Sequence, residues 1–161
     1  MKVVVSDASP LINLARAGQF NLLSVFYVRI VIPQAVYDEV VTRGAGRDGS
    51  REVQSASWIE VQTPQDELAV RTLTAELGRG EAAAIVLSQE LGASLLLIDE
   101  IRGRRIAQQL GLQVRGTLGI LARARREKRI LSLREVLDRL RARGTWIEQE
   151  LYEEVLRLVG E

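Results

Sequence analysis

The 161-residue chain contains no cysteine and no histidine. Without them it cannot build a thiolate or imidazole zinc site, a catalytic nucleophile paired with histidine, or a ribonuclease site that depends on imidazole. Any metal ion must be held by oxygen ligands, which favours Mg²⁺ or Mn²⁺; calcium fits less well because no EF-hand loop pattern is present. The lack of cysteine also predicts a cytoplasmic protein without disulfide bonds.

Long apolar runs and aromatic residues are scarce as well. No run approaches the roughly 18 residues that a membrane span requires, and the N-terminus MKVVVSDASP is too short and charged too early for a signal peptide. We therefore expect an intracellular protein that does not contact a membrane. The tryptophans, Trp58 and Trp146, are expected to pack in the core or an interface rather than stack on bases.

Charge is nearly balanced overall, with a net value of +1, but it is unevenly distributed. Residues 1–100 carry 8 basic and 13 acidic side chains, whereas residues 101–145 carry 13 basic and 3 acidic. An acidic half followed by an arginine-rich segment is compatible with a metal site beside a surface that binds a polyanion. The simpler alternative is a set of solvated helix faces.

Short segments rich in Val, Ile and Leu alternate with longer helical patterns, which predicts an α/β fold with a mainly parallel sheet of four to five strands and helices on both faces. Strands are predicted at residues 2–6, 28–32, 58–61, 95–98 and 112–114. Helices are predicted at residues 10–17, 19–26, 33–42, 80–91, 102–110, 118–128, 133–142 and 147–159. The glycine-rich segment 43–50 predicts a loop. We expect one domain, with a core of about residues 1–130 and the C-terminal helices packed on it.

Two predicted strands end in acids. VVVSD ends at Asp7, and LLLIDE ends at Asp99 and Glu100. Ligands of parallel α/β sheets bind outside the carboxyl ends of the strands, so these endings would bring two carboxylates to one edge if the strands are neighbours. The alternative for each aspartate is a helix N-cap.

A third acid, Glu81, lies in the first turn of a predicted helix, on the same face as Ala84 and Ile85. The helix dipole alone would also favour a glutamate there. Clustered carboxylates repel one another unless a cation joins them, and a divalent ion would remove that cost. Such an ion can hold a phosphate and generate hydroxide from water, which gives a route to phosphodiester hydrolysis without histidine.

Two further acids, Asp38 and Glu39, lie on the helix predicted after the second strand. Glu39 is at the edge of the apolar face of this helix, and Asp38 points further from it. Periodicity therefore favours Glu39 slightly, although solvent exposure is the simpler interpretation of both.

Five motifs around these acids resemble the PIN-domain family, and within it the compact prokaryotic PIN-like proteins related to VapC-type toxins. They are VVSDASPLINL at 4–14, IPQAVYDEV at 32–40, LGRGEAAAIVLSQELGA at 77–93, LLLIDEIRGRRIAQQLGL at 95–112 and VRGTLGIL at 114–121. Each motif alone is weak evidence for the family, but the five motifs in this order are more specific. Together they cover most of residues 3–128. The resemblance implies a three-layer PIN-like fold.

The resemblance also implies a ribonuclease site that holds one or two Mg²⁺ or Mn²⁺ ions. Its metal-binding and catalytic residues would be Asp7, Glu39, Glu81 and Asp99, with Glu39 acting directly or through water. The hydroxyl of Thr117 would support these acids. Many PIN domains have aspartate at the position that matches Glu81. The glutamate side chain is longer than aspartate by about one methylene group.

From this resemblance we expect a metal-dependent endoribonuclease that is the toxin of a type II toxin–antitoxin pair. Its partners would be an RNA substrate, an antitoxin protein and a second copy of the chain in a homodimer. The candidate RNA-binding residues are Arg102, Arg104, Arg105, Arg123 and Arg126, which would hold the phosphate backbone.

Two other classes of function compete with this interpretation. One is a non-catalytic PIN-like module that binds RNA or a partner protein. The other is an aspartyl-phosphate enzyme or receiver, which the sequence disfavours. Phosphatases of that kind place an acid two residues after the nucleophile, but Ser9 and Ile101 occupy those positions here. A receiver needs a lysine, and the only lysines are Lys2 and Lys128.

Overall fold

The computed structural model describes residues 2–161, and its five strands form one parallel sheet. They are β1 (Val4–Ser6), β2 (Ile30–Pro33), β3 (Ile59–Gln62), β4 (Leu95–Leu97) and β5 (Val114–Arg115), in the order β3-β2-β1-β4-β5. The chain runs outward from β1 to β3 and then returns to the other side of β1, so the order reverses between β1 and β4. The α/β fold and the five predicted strands are confirmed, with bounds shifted by only one or two residues.

Ten α-helices flank the sheet in the described residues. They are α1 (Ala8–Arg16), α2 (Leu22–Tyr27), α3 (Gln34–Tyr37), α4 (Ser50–Ser55), α5 (Glu67–Leu73), α6 (Arg79–Leu91), α7 (Ile101–Gln109), α8 (Thr117–Arg126), α9 (Leu133–Ala142) and α10 (Gln149–Leu158). Within residues 2–161, no helix is both long and apolar enough to cross a membrane.

Alternate strand residues face two different helical layers, as the pleat of a strand requires. Val4 and Leu97 pack in one buried cluster with α1, α8, α9 and α10, whereas Val5 and Leu96 pack in a second cluster with α6 and α7. The sheet is therefore covered on both faces, in three layers. The valine run of β1 is buried from both sides because it lies at the centre of the sheet.

The C-terminal helices share the first of these clusters. Leu137 of α9 and Leu156 of α10 are buried in it with residues of β1 and β4. The hydroxyl of Tyr152 donates to Asp138 at 2.6 Å, and the guanidinium of Arg141 lies 4.0 Å from the centre of the same ring. These contacts join α9 to α10.

Two short helices, α4 and α5, have no counterpart among the predicted elements. Each buries only one apolar side chain, Val53 in α4 and Val70 in α5, so neither carries an apolar stripe that the sequence pattern could reveal. The predicted helix starts also need correction. α1 begins at Ala8, so Pro10 lies inside its first turn, and Pro33 is the last residue of β2 and the N-cap of α3.

The predicted helix at residues 33–42 is divided in two. α3 ends at Tyr37, and the chain continues as a π-helical segment, Asp38–Thr42, in which the N–H of Arg43 donates to the carbonyl of Asp38 at 2.7 Å. The adjacent residues Val40 and Val41 of this segment are both buried. An apolar pattern with a period of 3.6 residues predicts a regular α-helix and does not reveal a π-helical segment within it.

Candidate functional site

The candidate site lies where the strand order reverses, at the carboxyl ends of β1 and β4. Asp7 follows β1 directly, and its N–H donates to the carbonyl of Leu97 in β4 at 2.9 Å. Asp99 comes two residues after the end of β4. The two aspartates are therefore delivered to one edge of the sheet by adjacent strands, the position at which open α/β sheets bind ligands.

Asp7 is the most buried acid at this edge, with 3% of its surface exposed. Burial raises the pKa of its carboxyl to about 7, and the charges of Glu81, Glu39 and Asp99 add to the increase, while the N–H of Ala8 opposes it. Asp7 occupies the N-cap position of α1, but its side chain makes no capping hydrogen bond. The helix-cap alternative therefore does not account for this carboxylate.

Asp99 is held by three hydrogen bonds. Its Oδ1 accepts from the N–H of Thr117 at 2.6 Å, and its Oδ2 accepts from the Thr117 hydroxyl at 2.7 Å and from Asn13 Nδ2 at 3.0 Å. Thr117 is the first residue of α8, so Asp99 satisfies the N-terminus of that helix and not of α7, whose N-cap is Glu100. These bonds fix the direction of the Asp99 carboxylate.

Asn13 is a residue of this site that the sequence did not single out. Its Oδ1 accepts from the hydroxyl of Thr145 at 3.0 Å, and that hydroxyl accepts from Arg16 at 3.2 Å. Arg16 also pairs with Asp48 at 3.1 Å. The one available signal was a polar side chain between Ile12 and Leu14, because its partner Thr145 is 132 residues away along the chain.

Glu81 combines one satisfied oxygen with one that lacks a partner. Its Oε1 accepts from the N–H of Gly78 at 3.2 Å, but its Oε2 is buried and has no hydrogen-bond partner among the described residues. Burial raises the pKa of Glu81, opposed by the Gly78 N–H, and the charges of Glu100 and Glu39 raise it further. A buried carboxylate oxygen without a partner is costly, and a cation would satisfy it.

Glu39 approaches Asp7 across Gly80 of α6. A Cβ on Gly80 would lie 3.2 Å from Glu39 Oε1 and 3.5 Å from Asp7 Oδ1, so both carboxylates come close to the same point. Asp38, by contrast, accepts hydrogen bonds from Gln34 and Thr42 on its own helix. Glu39, and not Asp38, is therefore the acid of this segment that lies near Asp7.

The four acids influence one another, but they do not form a ready-made metal site. No group of three or more acidic side chains within residues 2–161 is arranged to hold a metal ion. The chemistry of the donors nevertheless fits a hard divalent cation. All of them are oxygen ligands, and Glu81 Oε2 has no partner among the described residues. Burial raises the pKa of Asp7, and the charges of the three other acids raise it further, so a cation there would be favourable.

The arginines proposed for RNA binding differ in their positions and in the contacts that their side chains make. Arg104 and Arg126 line a groove together with Asp99. Arg102 and Arg105 are exposed on α7. Arg123 is engaged elsewhere, because it pairs with Glu127 at 2.5 Å and lies 4.1 Å from the centre of the Phe26 ring.

The two tryptophans also lie in different surroundings, one packed against an aromatic ring and the other exposed. Trp58 packs against Phe20, with ring centres 5.3 Å apart, as a core residue should. Trp146 is 83% exposed, so it does not pack in the core, and the predicted alternative, packing in an interface, stays a prediction. Trp146 follows Thr145 in the segment between α9 and α10. This segment is held to α1 by the hydrogen bond from the Thr145 hydroxyl to Asn13, which does not require an apolar contact from Trp146.

In a comparison with protein-family models, the model DUF3368, a PIN domain, matches residues 3–161. The match extends beyond residue 128, where the resemblance of the motifs ends, and includes α9 and α10. No curated protein matches the chain.

Proposed function

The chain belongs to the PIN-domain family, whose members are generally nucleases, and on that premise we propose that it is a metal-dependent endoribonuclease. The observation that carries the proposal is the environment of Asp7. This carboxylate is 3% exposed, so burial raises its pKa, and the charges of Glu81, Glu39 and Asp99 raise it further. Perturbed carboxylates gathered at the carboxyl edge of a parallel sheet are typical of a catalytic site.

In this proposal Asp7, Glu81 and Asp99 hold the cation directly, and Glu39 holds it directly or through water. A bound Mg²⁺ or Mn²⁺ would supply the positive charge that polarises a phosphodiester and acidifies water. The protein contributes orientation. Thr117 keeps the Asp99 carboxylate in one direction, and the partnerless Oε2 of Glu81 remains free to accept a ligand.

The biological role in the proposal is that of a toxin of a type II toxin–antitoxin pair, acting in the cytoplasm. It is supported by the resemblance of the sequence motifs to VapC-type proteins. An antitoxin protein and a second copy of the chain would be its protein partners. The substrate would be RNA, held through phosphate contacts to the arginines of α7 and α8.

Cleavage assays test the enzymatic proposal. Wild-type protein should cleave single-stranded and structured RNA in Mn²⁺ or Mg²⁺, and EDTA should abolish the activity. Asp7→Asn and Glu81→Gln should be inactive, while Asp66→Asn, at an exposed N-cap remote from these acids, should cleave like the wild type. Full cleavage in EDTA, or equal cleavage by Asp7→Asn, would overturn the mechanism.

The absence of a ready-made metal cluster in the described residues favours one competing function, a non-catalytic module that binds RNA or a protein. Calorimetric titration with Mn²⁺ separates the two. Binding at micromolar to millimolar ion that is lost in Glu81→Gln supports the nuclease. No heat of binding at millimolar ion supports the module.

A further inference from the structure

The parallel ladder between β4 and β5 ends in an exchange of hydrogen-bond partners. Parallel ladders have evenly spaced bonds, and here the N–H of Ile98 donates to the carbonyl of Arg115 at 2.9 Å. The next bond of the ladder would run from the N–H of Thr117 back to the carbonyl of Ile98. That N–H donates instead to Asp99 Oδ1 at 2.6 Å. The carbonyl of Ile98 therefore needs another donor.

Arg104 of α7 supplies this donor. Its Nη1 donates to the carbonyl of Ile98 at 3.1 Å. Ile98 is fully buried, and a buried carbonyl that loses its partner lowers the stability of the fold. The bond from Arg104 thus compensates for the missing ladder bond and leaves the N–H of Thr117 free for Asp99.

The guanidinium of Arg104 lies near the Asp99 carboxylate but does not pair with it. A Cβ on Gly116 would lie 2.7 Å from Arg104 Nη1 and 2.9 Å from Asp99 Oδ1, so both groups approach the same point. Arg104 takes part in no ion pair within residues 2–161. The lack of a side chain at Gly116 gives both groups this room, since its φ of −103° is open to any residue. A guanidinium placed in this way does not occupy the carboxylate that a cation would bind.

We propose that Arg104 is a positioning residue of the nuclease site and not an RNA contact. By taking the carbonyl of Ile98, it allows the N–H of Thr117 to hold Asp99 in the direction that metal binding requires. The inference rests on the nuclease function proposed above. Groups that orient a metal-binding side chain change metal affinity or activity by about 10- to 100-fold when they are removed.

Calorimetric titration with Mn²⁺ and steady-state cleavage test this role. Arg104→Met removes the donor and keeps an unbranched side chain, so it should weaken Mn²⁺ binding about tenfold and, at saturating Mn²⁺, lower kcat about tenfold at unchanged KM for RNA. Arg104→Lys retains a cationic donor and should recover part of both. Gly116→Ala inserts a methyl group between Arg104 and Asp99 and should also weaken Mn²⁺ binding. The control Arg71→Met, at an exposed position of α5, should bind and cleave like the wild type.

A measurement without metal separates this inference from the proposed function. In amide NMR spectra of the metal-free protein, Asp99→Asn shows how the resonance of the Thr117 N–H moves when it loses its carboxylate partner. Arg104→Met should move it in the same direction, because the N–H turns back to the carbonyl of Ile98. This shift, in a protein that neither binds Mn²⁺ nor cleaves RNA, would reject the nuclease and retain the role of Arg104 in holding Asp99.

Unchanged Mn²⁺ affinity and an unmoved Thr117 resonance in Arg104→Met would overturn the proposal. A higher KM and a smaller salt dependence of RNA binding at unchanged kcat would also overturn it, because these changes indicate a direct phosphate contact. Thermal melting shows which variants fold. If Arg104→Met does not fold, Gly116→Ala decides, and wild-type Mn²⁺ affinity in that variant would overturn the proposal.

Discussion

Replacing Asp7 by asparagine should stabilise the metal-free protein, and increasingly so as the pH rises. The native carboxyl has its pKa raised to about 7 by burial and by three neighbouring acids, from an ordinary value of 3.8. The folded protein therefore binds a proton between these values that the unfolded chain has lost, and wild-type stability falls as the pH increases through this window. Asparagine carries no charge and does not incur this loss.

The magnitude follows from the difference between the two pKa values. At 1.36 kcal/mol for each tenfold change in proton affinity, the raised pKa of Asp7 lowers the free energy of unfolding by about 1.5 kcal/mol at pH 5 and about 4 kcal/mol at pH 8. The Asp7 side chain makes no capping hydrogen bond, so the substitution removes little else. Urea denaturation of both proteins in EDTA, followed by circular dichroism at the two pH values, measures the difference.

The matched control is Asp66→Asn, because Asp66 is an exposed N-cap whose side chain accepts from the N–H of Ala69 at 3.0 Å. It should change stability little at either pH. The reasoning would be refuted if Asp7→Asn were less stable than the wild type at pH 8, or if its advantage were the same at pH 5 and pH 8. Either result would mean that the Asp7 carboxylate is not held at an energetic cost.

Three further predictions concern the same site. Mn²⁺ at about 100 times its dissociation constant should raise the free energy of unfolding of the wild type by about 2.7 kcal/mol and leave Asp7→Asn unchanged, as measured by thermal melting; equal shifts would place the ion elsewhere. Gly103→Ala would put a methyl group 2.8 Å from Glu81 Oε2 and should cost about 1–3 kcal/mol in urea denaturation, so a neutral result would contradict this packing. Thr145→Val removes the hydrogen bond to Asn13 and should lower kcat about two- to tenfold at unchanged KM, with activity restored by Thr145→Ser; a change in KM alone would contradict a positioning role.

The elements found from the sequence are those with strong apolar patterns. The strand containing Val4 and Val5 and the one containing Leu96 and Leu97 are buried on both faces, so each is a continuous apolar run between polar residues. α9, with an apolar stripe that includes Leu137, was predicted with its observed bounds. The short helices α4 and α5 were missed because they bury too little to leave a pattern.

The candidate acids could be named from the sequence because each lies at the end of a strand or near the start of a helix. What the sequence could not supply is their surroundings. Asp99 is held by Asn13 and Thr117, which are brought to it by packing of α1 and α8 and not by proximity along the chain. Glu39 lies near Asp7 because α3, which precedes it, packs against α6 and brings it close to Gly80.

The contact between Thr145 and Asn13 has a consequence for the order in which the protein is made. A ribosome has synthesised all four acids once it reaches residue 99, but the hydroxyl that orients Asn13 comes 46 residues later. A nascent chain would therefore carry its acids for some time before the network around Asp99 is complete. For a protein proposed to cut RNA, assembly of the site would be delayed until the C-terminal segment has left the ribosome.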